Sequence, residues 1–229
     1  MPSPELTFRV ISIGTLAGHP LWEERTNVRT GHATTTLITA GDTQVLVNPG
    51  LPPPVVEARL SERAGLTPDA ISHVFLTSFQ TDHLRSLERF PGATWLVHEP
   101  EREHAEAVIV EQAEQADTNG DAEVIAAVRH RATLLERCRV AEDKLVPGVD
   151  LFPLPGVTPG TCGLLLPLPR ATVLIAGDAV ATVEHLEQGK VLPTCLDIER
   201  AQESFSEAIE IADTLVLGRD NVVVNPLRR

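Results

Sequence analysis

His73-Val-Phe-Leu-Thr-Ser-Phe-Gln-Thr-Asp-His83 is the stretch on which the fold turns. Its first five residues form an apolar run of the kind found in strands buried on both faces. Gly65 and Pro68 end the preceding helix and leave room for that strand to begin. After Thr77 the run gives way to Ser78, Gln80 and Thr81, and a helix is expected over residues 82–89. An acid and an imidazole, Asp82 and His83, therefore stand together where a buried strand hands over to a helix.

Outward from this junction, residues 8–13 and 34–38 read as short strands on either side of a loop that holds His19, Trp22 and His32. Each of those three could rim a pocket, and solvent exposure is the expectation for the two histidines. Thr43–Val47 is a strand that stops at Asn48-Pro-Gly50, a turn signal. The prolines at 52–54 open an amphipathic helix over 55–63. Strands are expected at 94–98, 151–154, 163–168, 172–176 and 214–217. An amphipathic helix over 198–212 carries Ala201, Phe205, Ala208 and Ile209 on one stripe. Residues 99–146 are different in kind, rich in Glu, Ala, Arg and Val. They predict two helices split at Asp117-Thr-Asn-Gly-Asp121, with Gly120 as stop and Asp121 as N-cap. This reads as an inserted helical hairpin, a solvated cap that could also serve as a lid or dimer surface.

The 229 residues suit one large domain spanning 1–229. A formal net charge of −13 argues against a nucleic-acid partner, whose phosphates demand a basic face, and against an anionic membrane surface. Residues 1–10 lack the basic and apolar regions of a signal peptide, so a cytoplasmic protein is expected. Cys138, Cys162 and Cys195 are widely spaced and odd in number, which fits reduced structural thiols.

Five loops, in order, carry a resemblance to a known family. Asn48-Pro-Gly50 follows a strand. Ser78-Phe-Gln80-Thr-Asp82-His83 ends one. Pro155-Gly-Val157-Thr-Pro-Gly160, Gly177-Asp178 and Gly218-Arg219-Asp220 complete the series. The set is similar to the metallo-β-lactamase superfamily, in its lactonase and glyoxalase-II-like branch. There the corresponding patterns are Asp-x-Gly, His-x-His-x-Asp-His, Pro-Gly-His-Thr-Pro-Gly, Gly-Asp and Gly-His-Asp. The resemblance implies an α/β four-layer α/β/β/α sandwich, with 99–146 as the helical insertion. It also implies a site where two metal ions clamp a hydroxide and polarise a carbonyl or phosphoryl oxygen.

In this chain Ser78, Gln80 and Val157 stand at the first metal's histidine positions, and none of them replaces an imidazole toward zinc. Asp82, His83 and Asp178 survive at the second, enough for at most one weakly held Zn, Mn or Fe ion. Arg219 stands where the last histidine would be, and it is expected to take the missing metal's place between the two carboxylates. Asn48 keeps the shape of the usual Asp without its charge. His185 is a candidate substitute ligand, and Ser78, Gln80, Val157, Arg219 and His185 are expected at the pocket. Two functions follow. One is a non-catalytic or altered relative that binds a small molecule in the old pocket, with no cofactor. The other is a one-metal hydrolase of a lactone, ester or thioester, with Asp82 catalytic. A Ser78, His83 and Asp82 nucleophile arrangement is disfavoured, because so short a stretch of chain constrains the geometry badly. A homodimer is allowed but not demanded.

Overall fold

A computed structural model of the chain describes residues 6–227, so the first five residues of the stretch read for a targeting signal lie outside it. Its strands form two six-stranded sheets. The first runs in chain order through β1 (Leu6–Ser12), β2 (Thr35–Ala40), β3 (Thr43–Val47), β4 (His73–Leu76), β5 (Thr94–Val97) and β6 (Arg139–Val140). The second runs from β12 (Val222–Val224) through β11 (Thr214–Leu217), β10 (Ala171–Gly177), β9 (Cys162–Leu168) and β8 (Val149–Pro153) to β7 (Lys144–Val146).

Side-chain alternation places the layers. On β10, Val173 and Ile175 face the first sheet, where they meet Val45, Val47 and Phe75. Leu174 and Ala176, one residue out of phase, face Phe205 and Ala208 of a helix, α6 (Ile198–Ile211). On β4, Val74 and Leu76 face α1 (Pro53–Ala64) and a helical pair, α3 (Glu99–Asn119) and α4 (Ala122–Arg137). Three apolar layers between helix, sheet, sheet and helix make the expected four-layer sandwich.

The helical pair divides as the turn chemistry predicted. Gly120 sits at φ +67° just past α3, and the Asp121 carboxylate accepts from the N–H groups of Glu123 and Val124. The pair ends at Arg137, however, and the rest of the stretch to 146 holds β6 and β7.

One expected helix is corrected. Over 82–89 the chain makes a single turn, α2 (Thr81–Leu84), and then a separate 3-10 turn, Leu87–Arg89. Ser86 interrupts it: its N–H donates to Pro49 O at 3.0 Å, and its hydroxyl donates to Leu51 O. These bonds tie the chain to the loop after β3 instead of to the next helical turn. A short helix not foreseen, α5 (Val183–Gln188), follows β10. Among the described residues no helix is long and apolar enough to cross a membrane.

Candidate functional site

Four loops leave the carboxyl ends of β3, β4, β10 and β11 and meet at one end of the sandwich, where β3 runs parallel to β4 and β10 parallel to β11. Asn48 follows β3 in the left-handed region, at φ 51°, a conformation Asn tolerates better than most residues. Its amide fastens the end of β4. Thr77 N–H donates to Asn48 Oδ1 at 2.9 Å, and Asn48 Nδ2 donates to Thr77 Oγ1 at 2.8 Å. A carboxylate there could accept the first bond but could not donate the second. Asn48 thus contributes a bond of its own as well as the absence of a charge.

Asp82 and His83, on α2, meet Asp178, which begins the turn after β10, and Arg219, which follows β11. Gly218 makes this meeting possible. A Cβ on it would stand 2.4 Å from the Gly177 carbonyl carbon and 2.6 Å from Asp178 Oδ1. Arg219 grips Asp178 with two parallel bonds, Nε to Oδ1 at 2.7 Å and Nη2 to Oδ2 at 2.6 Å. Its Nη1 donates to Asp82 Oδ2. His83 Nε2 lies 2.9 Å from Arg219 Nη2 and 3.2 Å from Asp178 Oδ2. A guanidinium offers only hydrogens, so the ring accepts from Arg219 at Nε2 and in its neutral form carries its own hydrogen on Nδ1. That nitrogen lies 3.3 Å from Thr77 Oγ1 and 3.5 Å from Ser78 Oγ.

The cluster is buried, with His83 at 0%, Asp178 at 2% and Arg219 at 6% relative exposure. Burial alone would raise the pKa of Asp178. The opposing charge of Arg219 and the hydrogen bonds it makes outweigh burial and hold this acid well below the usual carboxylate range. Burial likewise raises Asp82, and the charge and hydrogen bond of Arg219 act against it, so this acid too titrates below its ordinary value. Burial would lower Arg219, but Asp178 and Asp82 together raise it further.

A dinuclear centre does not fit this donor set. Ser78 is fully buried, Val157 is apolar, and Gln80 is a neutral amide. Of the other candidate donors, both oxygens of Asp178, one of Asp82 and Nε2 of His83 already accept hydrogens from Arg219. Among the described residues no three His, Cys, Asp or Glu side chains come together to hold an ion. A serine nucleophile finds no access either, since the Ser78 hydroxyl is shut off from solvent. Burial pushes the Cys138 and Cys162 thiols up to about 12, which leaves both inert.

Beside the cluster lies a cleft of about 520 Å³ whose walls include Gln80, Asp82 and Val157. Ser78 and Arg219 lie beneath it rather than on its wall, and His185 belongs elsewhere. His185 packs against His19, ring centroids 5.4 Å apart, and both are buried where exposure was expected for His19. Thr182 Oγ1 lies 2.9 Å from His185 Nδ1 and 3.2 Å from His19 Nε2. Trp22 stacks on the far side of His19 at 4.1 Å, so this group pins the loop before β2 onto α5. His32 is part-buried, its Nδ1 3.3 Å from the Ala33 carbonyl.

One buried acid escaped the sequence reading. Glu101, in the first turn of α3, accepts from Phe79 N–H at 2.6 Å and from the Thr158 hydroxyl. It thereby joins the loop that ends β4 to the Pro-Gly loop. Its only sequence mark is an acid in the first turn of a helix, which is too common to single out.

The family model of the metallo-beta-lactamase superfamily matches residues 28–218. The chain belongs to the metallo-beta-lactamase superfamily. Among solved structures in that fold, a putative metallo-beta-lactamase from Thermotoga maritima is 19% identical with a TM-score of 0.68, over 96% of this chain and 99% of its own. A probable metal-dependent hydrolase from Staphylococcus aureus is 14% identical with a TM-score of 0.71, over 98% and 94%. The dizinc quorum-quenching lactonase AidC is 15% identical with a TM-score of 0.63, over 91% and 81%. A curated relative, 7-methyl-GTP pyrophosphatase of Burkholderia thailandensis, is 38% identical, but over only 27% of this chain and about a third (34%) of its own length. In this member of the superfamily the sandwich places an arginine between two acids, Asp82 and Asp178.

Proposed function

We propose that this metallo-beta-lactamase-fold protein is a non-hydrolytic relative that binds a small molecule in the cleft beside Asp82. In this reading the Arg219 guanidinium stands where a metal ion would. One observation carries it: Arg219 occupies both oxygens of Asp178, one oxygen of Asp82 and the Nε2 of His83 at once. A fixed cation there neutralises the two carboxylates as a metal would, but it carries no exchangeable water. It can hold charge in place and cannot supply a nucleophile. Asp82, with 28% of its side chain exposed, is the member that reaches the cleft.

The second reading, a hydrolase with one ion on Asp82, His83 and Asp178, requires Arg219 to withdraw from three partners. The measurement that separates the two is turnover of a panel of lactones, esters and thioesters by protein supplemented with Zn²⁺ or Mn²⁺. The expected rate equals that of the Asp178→Ala and Asp82→Asn variants. Turnover that is abolished in both variants overturns the non-hydrolytic reading.

A further inference from the structure

The acids on the cleft wall are already spoken for: Asp82 binds Arg219, and Glu101 binds Phe79 N–H and the Thr158 hydroxyl. The cations are not. Arg85 and Arg131 both line the cleft, and neither meets a carboxylate among the described residues. Arg85 makes one hydrogen bond, from Nη2 to the Gly31 carbonyl at 3.3 Å. Arg131 makes one, from Nη1 to the neutral Gln112 side chain at 2.8 Å, and its Nε is buried with no partner. Burial draws Arg131 below the ordinary guanidinium value, with no neighbouring charge to restore it. In a chain of net charge −13, these two guanidinium groups set positive charge in one cavity whose acids are already bonded elsewhere. A part-buried cation without a counter-charge is costly, and an incoming anion would remove that cost. Ala105, Val108 and Val157 give the same cleft an apolar lining, to which the exposed Leu196 adds. A cavity of about 520 Å³ has the size of a small-molecule site.

Resting on the ligand-binding reading above, we infer that the cleft takes a small amphiphilic oxyanion, a carboxylate or phosphate on a short apolar body. Arg85 and Arg131 hold the head group through the forked hydrogen bonds that guanidinium makes to such groups. His104 adds a third polar side chain on the same wall.

The test is calorimetric titration of chelator-treated protein with octanoate, octyl phosphate and neutral octanamide. One of the two anions is expected to bind at one equivalent, at least about tenfold tighter than octanamide, and which one binds identifies the head group. Arg131→Gln and Arg85→Gln should each weaken that anion at least about tenfold and leave octanamide unchanged. Arg131→Gln should not lower Tm, because the replaced charge has no partner, whereas a structural role would lower it. Equal affinity for the amide, no binding of either anion, or affinity unaltered in both variants would overturn the inference. Absent anion binding in a protein that also shows no turnover leaves the non-hydrolytic reading standing. Turnover alone sinks that reading and leaves the anion site to the titration.

Discussion

Arg219 sets the electrostatics of the whole cluster. Without it, Asp82 and Asp178 would face each other across His83 with no counter-ion, and one carboxyl would have to take a proton. Removing one partner of a buried, hydrogen-bonded ion pair generally costs about 3–5 kcal/mol, because the other charge is left behind. Arg219→Ala is therefore expected to lower unfolding stability by about that amount. Urea denaturation measures it, and a loss under about 1 kcal/mol would mean that the carboxylates do not depend on this cation. At this scale much of the cluster could be read from the sequence. Asp82, His83, Asp178 and Arg219 each sit in a short loop pattern with a fixed frame. Glu101 could not be read, because its bonds reach residues 22 and 57 positions away in the chain and leave no local pattern. The His19 and Thr182 contact, spanning 163 positions, was hidden for the same reason.

Among the elements, the approach of α3 to the Pro-Gly loop matters most for the cleft. A Cβ on Gly160 would stand 1.9 Å from Glu101 N and 2.3 Å from Glu101 Cα. Backbone in a helix cannot yield as a flexible side chain can, so the helix or the loop must shift. Gly160→Ala should cost more than about 3 kcal/mol, placing it with the severe packing changes, and should displace the cleft wall at Val157 and Thr158. Thermal denaturation checks the first expectation; a variant within about 1 kcal/mol of the parent would show that the contact relaxes freely. Strands such as β3 and β11 were legible because an apolar run is bounded on both sides by turn residues. Strands β6, β7 and β12 span only two or three residues and owe their pairing to neighbours, so no periodicity announces them. The helix expected after Asp82 failed for a tertiary reason, the bonds Ser86 makes to the loop after β3.

For the whole molecule, the buried titratable groups predict an acid response in two windows. His185 has its pKa lowered from 6.5 to about 4, by burial first and then by His19, with Glu184 opposing and Lys190 adding to the fall. Between those values the unfolded chain binds a proton that the folded chain refuses. Stability is thus lost as pH falls from about 6.5 to about 4, by up to about 3 kcal/mol. The carboxylates act lower. Their folded values lie beneath the ordinary 3.8, so their contribution is complete above that value and is lost as pH falls below it. Tm measured against pH should show both phases, and His185→Gln should shrink the upper one, leaving what His32 and His73 contribute, since burial lowers their pKa values too; a single phase below pH 4 would contradict the assignment. The two phases also separate the His19 and His185 group, which pins a loop, from the cluster at Arg219. The central claim, that a guanidinium holds the place of a metal in this sandwich, is tested most directly by elemental mass spectrometry. Protein would be measured as purified and after dialysis against Zn²⁺ and Mn²⁺. The account predicts metal content near zero in every sample. One tightly held equivalent that disappears in Asp178→Ala would contradict it.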